Sequence, residues 1–159
     1  GYDIVCAKSS GPIVYQTQNQ KIKFERVEFS PSFSQHLCFV HLNQKQNSRS
    51  EIARFDTTKN YSTQIEQVNI LANRMITATS FTEFSKYMDQ HEQLISSVIG
   101  RETVKKLLFP DFDGSIKSLG AWGGDFVLAC TYLPASAVQN YFTQKGFETV
   151  IPYNEMILK

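Results

Sequence analysis

The chain has 159 residues, with 16 Lys and Arg against 15 Asp and Glu, which gives a formal net charge of +1. A nearly neutral chain lacks the strong field of one sign that favours binding to nucleic acid or to an anionic membrane, so we expect neither partner. Hydrophobic residues at 42% and aromatic residues at 13% are typical of a globular protein, and the length fits one domain covering residues 1–159.

The sequence gives no sign of membrane insertion or of a metal centre. No apolar run reaches the roughly 20 residues of a membrane span, and no leader-like segment opens the chain, so we expect a cytoplasmic protein. Cys6, Cys38 and Cys130 are far apart among apolar neighbours, which favours reduced, buried thiols over a disulfide or a zinc site. The three histidines lack the spacing of metal ligands, and we expect no metal bound by these residues.

The first part of the chain predicts one short helix and three strands. Residues 3–9 read as a helix with Asp3 at its start, where the helix dipole favours an ionised carboxylate. Residues 13–17 and 21–29 predict two strands joined by a polar break. Residues 35–42 contain an apolar run without alternation, which is typical of a central strand.

The middle of the chain predicts a polar turn followed by helices. Residues 43–47 form the turn, and 48–51 have the Ser-x-x-Glu pattern of a capping box. Apolar residues at helical spacing predict a helix over 65–76, and a second capping box opens a longer helix over 80–100. A short helix over 102–109 ends before a proline.

The last part combines a glycine-turned hairpin with one helix. The stretch 115–129 predicts two apolar strands around a glycine loop, and 135–145 predicts a helix. Residues 147–151 and 155–158 predict two final strands. The order of elements describes an α+β fold, with helices on one face of an antiparallel sheet.

Three glycines in five positions, from Gly120 to Gly124, interrupt the apolar stretch. Glycines allow backbone conformations and close approaches that a Cβ would block, and successive N–H groups can form a concave anion site. Lys117 is close enough in sequence to add positive charge. The alternative is a tight hairpin with an exposed Trp122 and no ligand.

Together, residues 1–12 and 115–129 resemble the GHMP kinases, the group that contains galactokinase, homoserine kinase, mevalonate kinase and phosphomevalonate kinase. Asp3, in Gly-Tyr-Asp-Ile, falls on the acidic position that this family places beside the substrate. The positions of the family's glycine loop are matched by Lys117, Gly120, Ala121, Gly123, Gly124 and Asp125. The opening is most similar to an uncharacterised branch of the group, so the acceptor substrate is not inherited.

Two positions depart from the family pattern. Leu119 replaces the usual Ser or Thr, and Trp122 replaces a glycine. The polar turn adds Gln46, Ser48 and Arg49, together with Trp122, as further candidates for substrate contact. The alternative for the turn residues is a solvated turn and a helix cap.

The resemblance implies a ferredoxin-like C-terminal domain with additional helices, on the substrate side of a small-molecule kinase. ATP and Mg²⁺ would be bound mainly by an N-terminal half that this sequence does not contain, and the chain alone is expected to be inactive. It further implies that Asp3 and the Gly120–Gly124 loop lie together at one end of the sheet. The alternatives are a ferredoxin-like ligand-binding or association module without catalysis, and an enzyme like diphosphomevalonate decarboxylase.

Overall fold

The computed structural model describes residues 2–18, 21–44, 55–56, 58–120 and 124–157. Its helices are α1 (Tyr2–Lys8), α2 (Ser62–Thr77), α3 (Phe81–Ile99), α4 (Val104–Leu108), α5 (Ala135–Gln144) and α6 (Tyr153–Met156). Its strands are β1 (Ile13–Gln18), β2 (Lys21–Arg26), β3 (Leu37–His41), β4 (Ser115–Ser118), β5 (Phe126–Cys130) and β6 (Val150–Pro152). A 3₁₀ turn, Ser34–His36, leads into β3.

Four strands form an antiparallel sheet in the order β4-β5-β3-β6. Along the chain, β3 is followed by helices, then by β4 and β5, then by α5 and β6. This β-α-β-β-α-β order is that of a ferredoxin-like fold. The expected α+β class with an antiparallel sheet is therefore confirmed.

The central strands bury side chains on both faces of this sheet. Neighbouring residues of a strand point to opposite faces, so β5 contributes Val127 and Ala129 to one face and Leu128 and Cys130 to the other. The first face packs against α4 and α5, through Val104, Phe109, Val138 and Phe142. The second face packs against α3, through Phe84 and Met88. Helices were expected on one face of the sheet, together with additional helices. Helix α3 forms a layer on the second face, because β3 and β5 carry apolar side chains on both faces.

The β1–β2 pair forms a separate antiparallel hairpin, in which Tyr15 lies opposite Phe24. Every residue of β2 is exposed. Phe29, just after the hairpin, joins this unit to the main sheet, since its ring lies 5.9 Å from that of Phe84 and 6.3 Å from that of Tyr153. An isolated two-stranded hairpin is only marginally stable in water, so this unit depends on such neighbours.

The helix ends follow the predicted signals. The Ser80 hydroxyl accepts a hydrogen bond from the Glu83 N–H at 3.3 Å, as a capping box requires, although the Glu83 carboxylate reaches Thr79 instead of Ser80. Gly100 ends α3 in the left-handed region, at φ 66°.

Two sequence predictions were wrong. Residues 155–158 were predicted as a strand, but α6 occupies Tyr153–Met156, and the Ile157 N–H donates to the Tyr153 carbonyl. The strand ends at Pro152, and burial of the Tyr153 ring against Phe39 favours a helical turn there over further extension.

The second wrong prediction concerns Cys6, which was expected to be buried. All three cysteines are free thiols, but Cys6 is exposed on the short helix α1 while Cys130 is buried in the sheet. Over the described ranges, no helix is long and apolar enough to cross a membrane.

Replacing Phe142 by Ala should lower the free energy of unfolding by about 3–5 kcal/mol, because its ring is fully buried against Phe109 and Phe112. Denaturation in urea, followed by circular dichroism, would measure the loss. Phe24→Ala is the matched control, since 59% of the Phe24 side chain is exposed, and it should change stability by no more than about 0.5 kcal/mol. Equal losses in the two variants would contradict the assignment of the core.

Candidate functional site

The glycine loop closes the β4–β5 hairpin at one end of the sheet. Just inside the loop, the Leu119 N–H donates to the Phe126 carbonyl at 3.1 Å. The Asp125 carbonyl accepts a 2.7 Å hydrogen bond from the N–H of Leu42, which follows β3. The C-terminal end of β3 and the glycine loop are therefore joined, and residues 42–44 leave the sheet beside this loop.

Within the loop, Gly120 has the left-handed φ of +69°, and a Cβ at this position would meet no atom of the described residues within 4 Å. The backbone conformation, not crowding, thus requires glycine there. Gly124 is buried and Asp125 is exposed. Ala121, Trp122 and Gly123 lie outside the described residues, so both sequence interpretations, a ligand loop and a plain hairpin, stay open.

Lys117, the predicted source of positive charge, lies on β4 three residues before Gly120. Its ammonium donates to the Ser118 carbonyl at 3.2 Å and lies 3.9 Å from Oε2 of Glu92 on α3. Its side chain keeps 18% of its surface exposed. Burial lowers the pKa of Lys117, while the Glu92 carboxylate acts in the opposite direction.

Glu92 is a site residue that the sequence analysis missed. Only 2% of Glu92 is exposed, and its Oε1 accepts hydrogen bonds from the backbone N–H of Ser118 at 3.1 Å and from the Ser118 hydroxyl at 2.9 Å. Burial raises the pKa of Glu92, against the lowering effects of Lys117 and Ser118. Its spacing from Phe84 and Met88, at four-residue steps on one helix face, is the signal that it points inward.

The same contact between α3 and β4 contains a second polar group one turn earlier. The Ser115 hydroxyl donates to the Asp89 carboxylate at 2.8 Å and lies 2.7 Å from the Ser85 hydroxyl. Because β4 is an edge strand, no neighbouring strand pairs with its outer side. Helix α3 covers that side with polar groups, which form hydrogen bonds with the strand's hydroxyl groups and with an outward-facing N–H. The residues that lead into the glycine loop are therefore held in place.

His91 lies next to Glu92 on α3, and its buried Nδ1 has no hydrogen-bond partner among the described residues. Burial, together with the positive charge of Lys117, lowers the pKa of His91 to about 4. The imidazole is consequently neutral at physiological pH and leaves Lys117 as the cation of this group.

Asp3 lies in the first turn of α1, next to Tyr2, whose ring lies 6.3 Å from the ring of Tyr15. The orientation of the Asp3 side chain falls outside the described part of the structure. The predicted closeness of Asp3 to the glycine loop therefore stays a prediction.

The turn candidates Gln46, Ser48 and Arg49 also lie outside the described residues. Asn43, just before them, has a left-handed φ of 55°, and its amide oxygen lies 3.0 Å from Nδ1 of His41. Among the residues that the structure describes, no group of three or more His, Cys, Asp or Glu side chains could hold a metal ion.

Several solved structures have the same arrangement of elements. A Lin0012 protein from Listeria innocua matches with a TM-score of 0.65 and 16% sequence identity, over 82% of this chain and 41% of that protein. The mevalonate kinase of Methanococcus jannaschii matches with a TM-score of 0.61 and 13% identity, over 86% and 45%. The L. major mevalonate kinase, solved in complex with R-mevalonate, matches with a TM-score of 0.61 and 15% identity, over 92% and 47%.

The chain shares its fold with part of these mevalonate kinases. It spans less than half the length of each of the three proteins, so their whole-protein activities are not carried over by the match. No protein-family model matches the chain, and no curated protein sequence matches it significantly. The mevalonate kinase likeness thus concerns the fold, and the sequence identity is too low to define a substrate.

Replacing Ser118 by Ala should lower the free energy of unfolding by about 1–3 kcal/mol, because the buried Glu92 carboxylate loses one of its two hydrogen bonds from Ser118. Urea denaturation of the variant would measure the loss. Ser62→Ala is the control, since Ser62 is exposed at the start of α2 and its replacement should stay within about 0.5 kcal/mol. A Ser118→Ala variant as stable as the parent would show that the network does not anchor β4.

Proposed function

We propose that this chain is the C-terminal, substrate-side domain of a GHMP-type small-molecule kinase, which transfers a phosphoryl group from ATP to a mevalonate-like or sugar-like acceptor. The observation that carries the proposal is the agreement between sequence and fold. The stretch that resembles the family's glycine loop closes a hairpin within a fold that the mevalonate kinases share. The acceptor group would be a hydroxyl or a phosphate.

In phosphoryl transfer, the protein mainly positions the reactants and stabilises charge, and it takes little part in covalent chemistry. The reaction requires an acceptor oxygen in line with the transferred phosphorus, and positive charge or N–H donors around the phosphoryl oxygens. Asp3 would orient the acceptor and accept its proton. Backbone N–H groups of residues 120–124, with Lys117 behind them, would stabilise negative charge on the substrate or on the moving phosphoryl group.

The described residues fit one part of this task. Among the described residues, no atom lies within 4 Å of the place where a Gly120 side chain would stand, which leaves room there for an anion to approach the backbone. The Lys117 ammonium, with three N–H donors, makes one hydrogen bond, to Ser118, within the described structure. ATP and Mg²⁺ would be held mainly by an N-terminal half, as the family resemblance implies; Mg²⁺ supplies charge neutralisation of the phosphates.

The N-terminal half is also the partner that we propose for the exposed side of the β1–β2 hairpin. Large apolar side chains are left open here: Tyr2 at 57%, Ile4 at 60%, Ile22 at 56% and Phe24 at 59% exposure. Tyr2 lies against Tyr15, which is opposite Phe24 in the hairpin, so these three aromatic side chains lie next to one another on α1 and the hairpin. Burial of such a surface against a second domain would stabilise both units.

A binding module without catalysis is the second candidate. Leu119, which replaces the usual Ser or Thr, packs against the apolar cluster beneath β5 and offers no hydroxyl to a substrate. Lys117 already faces a buried carboxylate. Both observations are compatible with a site that retains the glycine loop but lacks some of the groups that catalysis would need.

Asp3→Asn in the chain joined to its N-terminal half should lower kcat by at least about 100-fold, because the amide cannot accept the acceptor's proton. ATP consumption with mevalonate, phosphomevalonate and simple sugars as acceptors would measure it. Asp113→Asn is the matched control, since Asp113 is exposed just before β4, at the end of the sheet away from the loop, and should leave kcat unchanged.

Folded protein that turns over ATP with none of these acceptors would contradict the kinase and favour the binding module. In that case Asp3→Asn should leave the affinity for a bound ligand largely unchanged. Release of CO₂ together with phosphate would instead identify the decarboxylase alternative.

A further inference from the structure

The buried carboxylate of Glu92 contacts the two residues that lead into the glycine loop. One oxygen, Oε1, accepts both hydrogen bonds from Ser118. The other, Oε2, is buried without a hydrogen bond in the described structure and lies 3.9 Å from the ammonium of Lys117. A carboxylate that is 2% exposed needs such partners, because an isolated buried charge is strongly destabilised.

Within the described part of the chain, Lys117 has more hydrogen-bond donors than its contacts use. An ammonium group carries three donors, and the described contacts use one of them, to the Ser118 carbonyl. The distance of 3.9 Å to Glu92 is too long for a hydrogen bond, so the carboxylate acts on Lys117 through its charge. The remaining donors and the 18% exposed surface leave room for an acceptor from solvent.

The groups that face Lys117 from α3 are Glu92 and His91, with Asp89 about one turn earlier on the helix. His91 is neutral at physiological pH, because burial and the nearby ammonium lower its pKa to about 4. Asp89 is engaged by the Ser115 hydroxyl at 2.8 Å. Glu92 is therefore the group that offsets the effect of burial on Lys117, since desolvation alone favours the neutral amine.

We infer that Glu92 is a positioning residue for a phosphate-binding site: it anchors the end of β4 and holds Lys117 as an ammonium ion beside the glycine loop. The inference rests on the proposed function, because that function assigns the phosphate-type anion to this loop. The anion would take the donors of Lys117 that the described contacts leave open, together with the N–H of Gly120, while Glu92 stays behind the lysine and does not touch the ligand.

Glu92→Gln separates charge from shape. The amide keeps an oxygen that can accept both hydrogen bonds from Ser118, but it removes the negative charge that faces Lys117. The pKa of Lys117 should fall in this variant. This pKa would be measured from the pH dependence of the rate at which an acylating reagent modifies the Lys117 amine. Mass spectrometry of the peptide that contains Lys117 would follow the reaction.

Binding of inorganic tripolyphosphate gives the second readout. As the pH rises into the alkaline range, the affinity for tripolyphosphate should fall about tenfold further in Glu92→Gln than in the parent. This is the loss expected when one charged donor, the Lys117 ammonium, becomes neutral. Glu102→Gln is the matched control, because Glu102 pairs at 2.8 Å with the exposed Lys106 and should leave both readouts of Lys117 unchanged. Glu92→Asp keeps the charge but sets it one methylene further back, so its Lys117 pKa and its tripolyphosphate binding should lie between those of the parent and those of Glu92→Gln. This variant is the one to measure if Glu92→Gln does not fold.

An unchanged Lys117 pKa in folded Glu92→Gln, or in folded Glu92→Asp if that alone can be studied, would overturn the inference. A lowered pKa with weakened tripolyphosphate binding supports it. If tripolyphosphate binds and the Lys117 pKa does not move, the positioning role fails while the proposed function survives. If the pKa falls but no form binds tripolyphosphate, Glu92 controls Lys117 but the phosphate site fails; the proposed function is then decided separately, by ATP consumption in the chain joined to its N-terminal half.

Discussion

The structure depends on two central strands that are apolar on both faces. Val40 and Val127 are fully buried on one side, and Leu128 and Cys130 are buried on the other. Neighbouring side chains of a strand point to opposite faces of the sheet. Two strands that are apolar on both faces therefore need a packing layer on each face. Helices α4 and α5 cover one face and α3 covers the other, and this sandwich positions the ends of the four strands of the main sheet.

The second layer also determines how the candidate site is built. Helix α3 buries Phe84 and Met88 against the sheet, and the next residue on that helix face, Glu92, meets the edge strand β4. An edge strand has unpaired backbone groups, and here the carboxylate satisfies one of them. The polypeptide is therefore fixed up to Ser118, and Gly120 is the point where it takes the left-handed conformation that starts the loop. An ordered approach of this kind suits a loop that presents backbone donors to a ligand.

Much of the fold was predictable, because its signals are local. The apolar run of β3, the Ser80 cap and the left-handed Gly100 each act within a few residues. The α+β class followed from their order. The last strand was predicted wrongly because an apolar run after Pro152 is compatible with either structure, and burial of Tyr153 in the tertiary fold decides for a helix.

The candidate site was predictable only in part. The glycines and Lys117 stand out in sequence, whereas Glu92 looked like one polar residue in a long helix. Its role depends on a contact with Ser118, 26 residues away, which no local pattern reveals. The position of Asp3 relative to the loop is likewise a property of the tertiary structure, and the sequence predicts it through family resemblance alone.

The most direct test of a shared site is the distance of α1 from the two ends of the sheet, measured between spin labels in the chain joined to its N-terminal half. One label would replace Ile4, next to Asp3, and its partner would replace either Asp125 in the loop or Asn154 at the opposite end, near Ser34. Cys6 would be changed to Ser, while burial raises the pKa of Cys38 and Cys130 to about 12 and keeps both thiols slow to react. Because the central strands are five residues long, the two ends of the sheet are roughly 17 Å apart. Spin-label distances can distinguish positions that far apart. The account predicts a shorter distance from position 4 to position 125 than to position 154; the reverse order would contradict it.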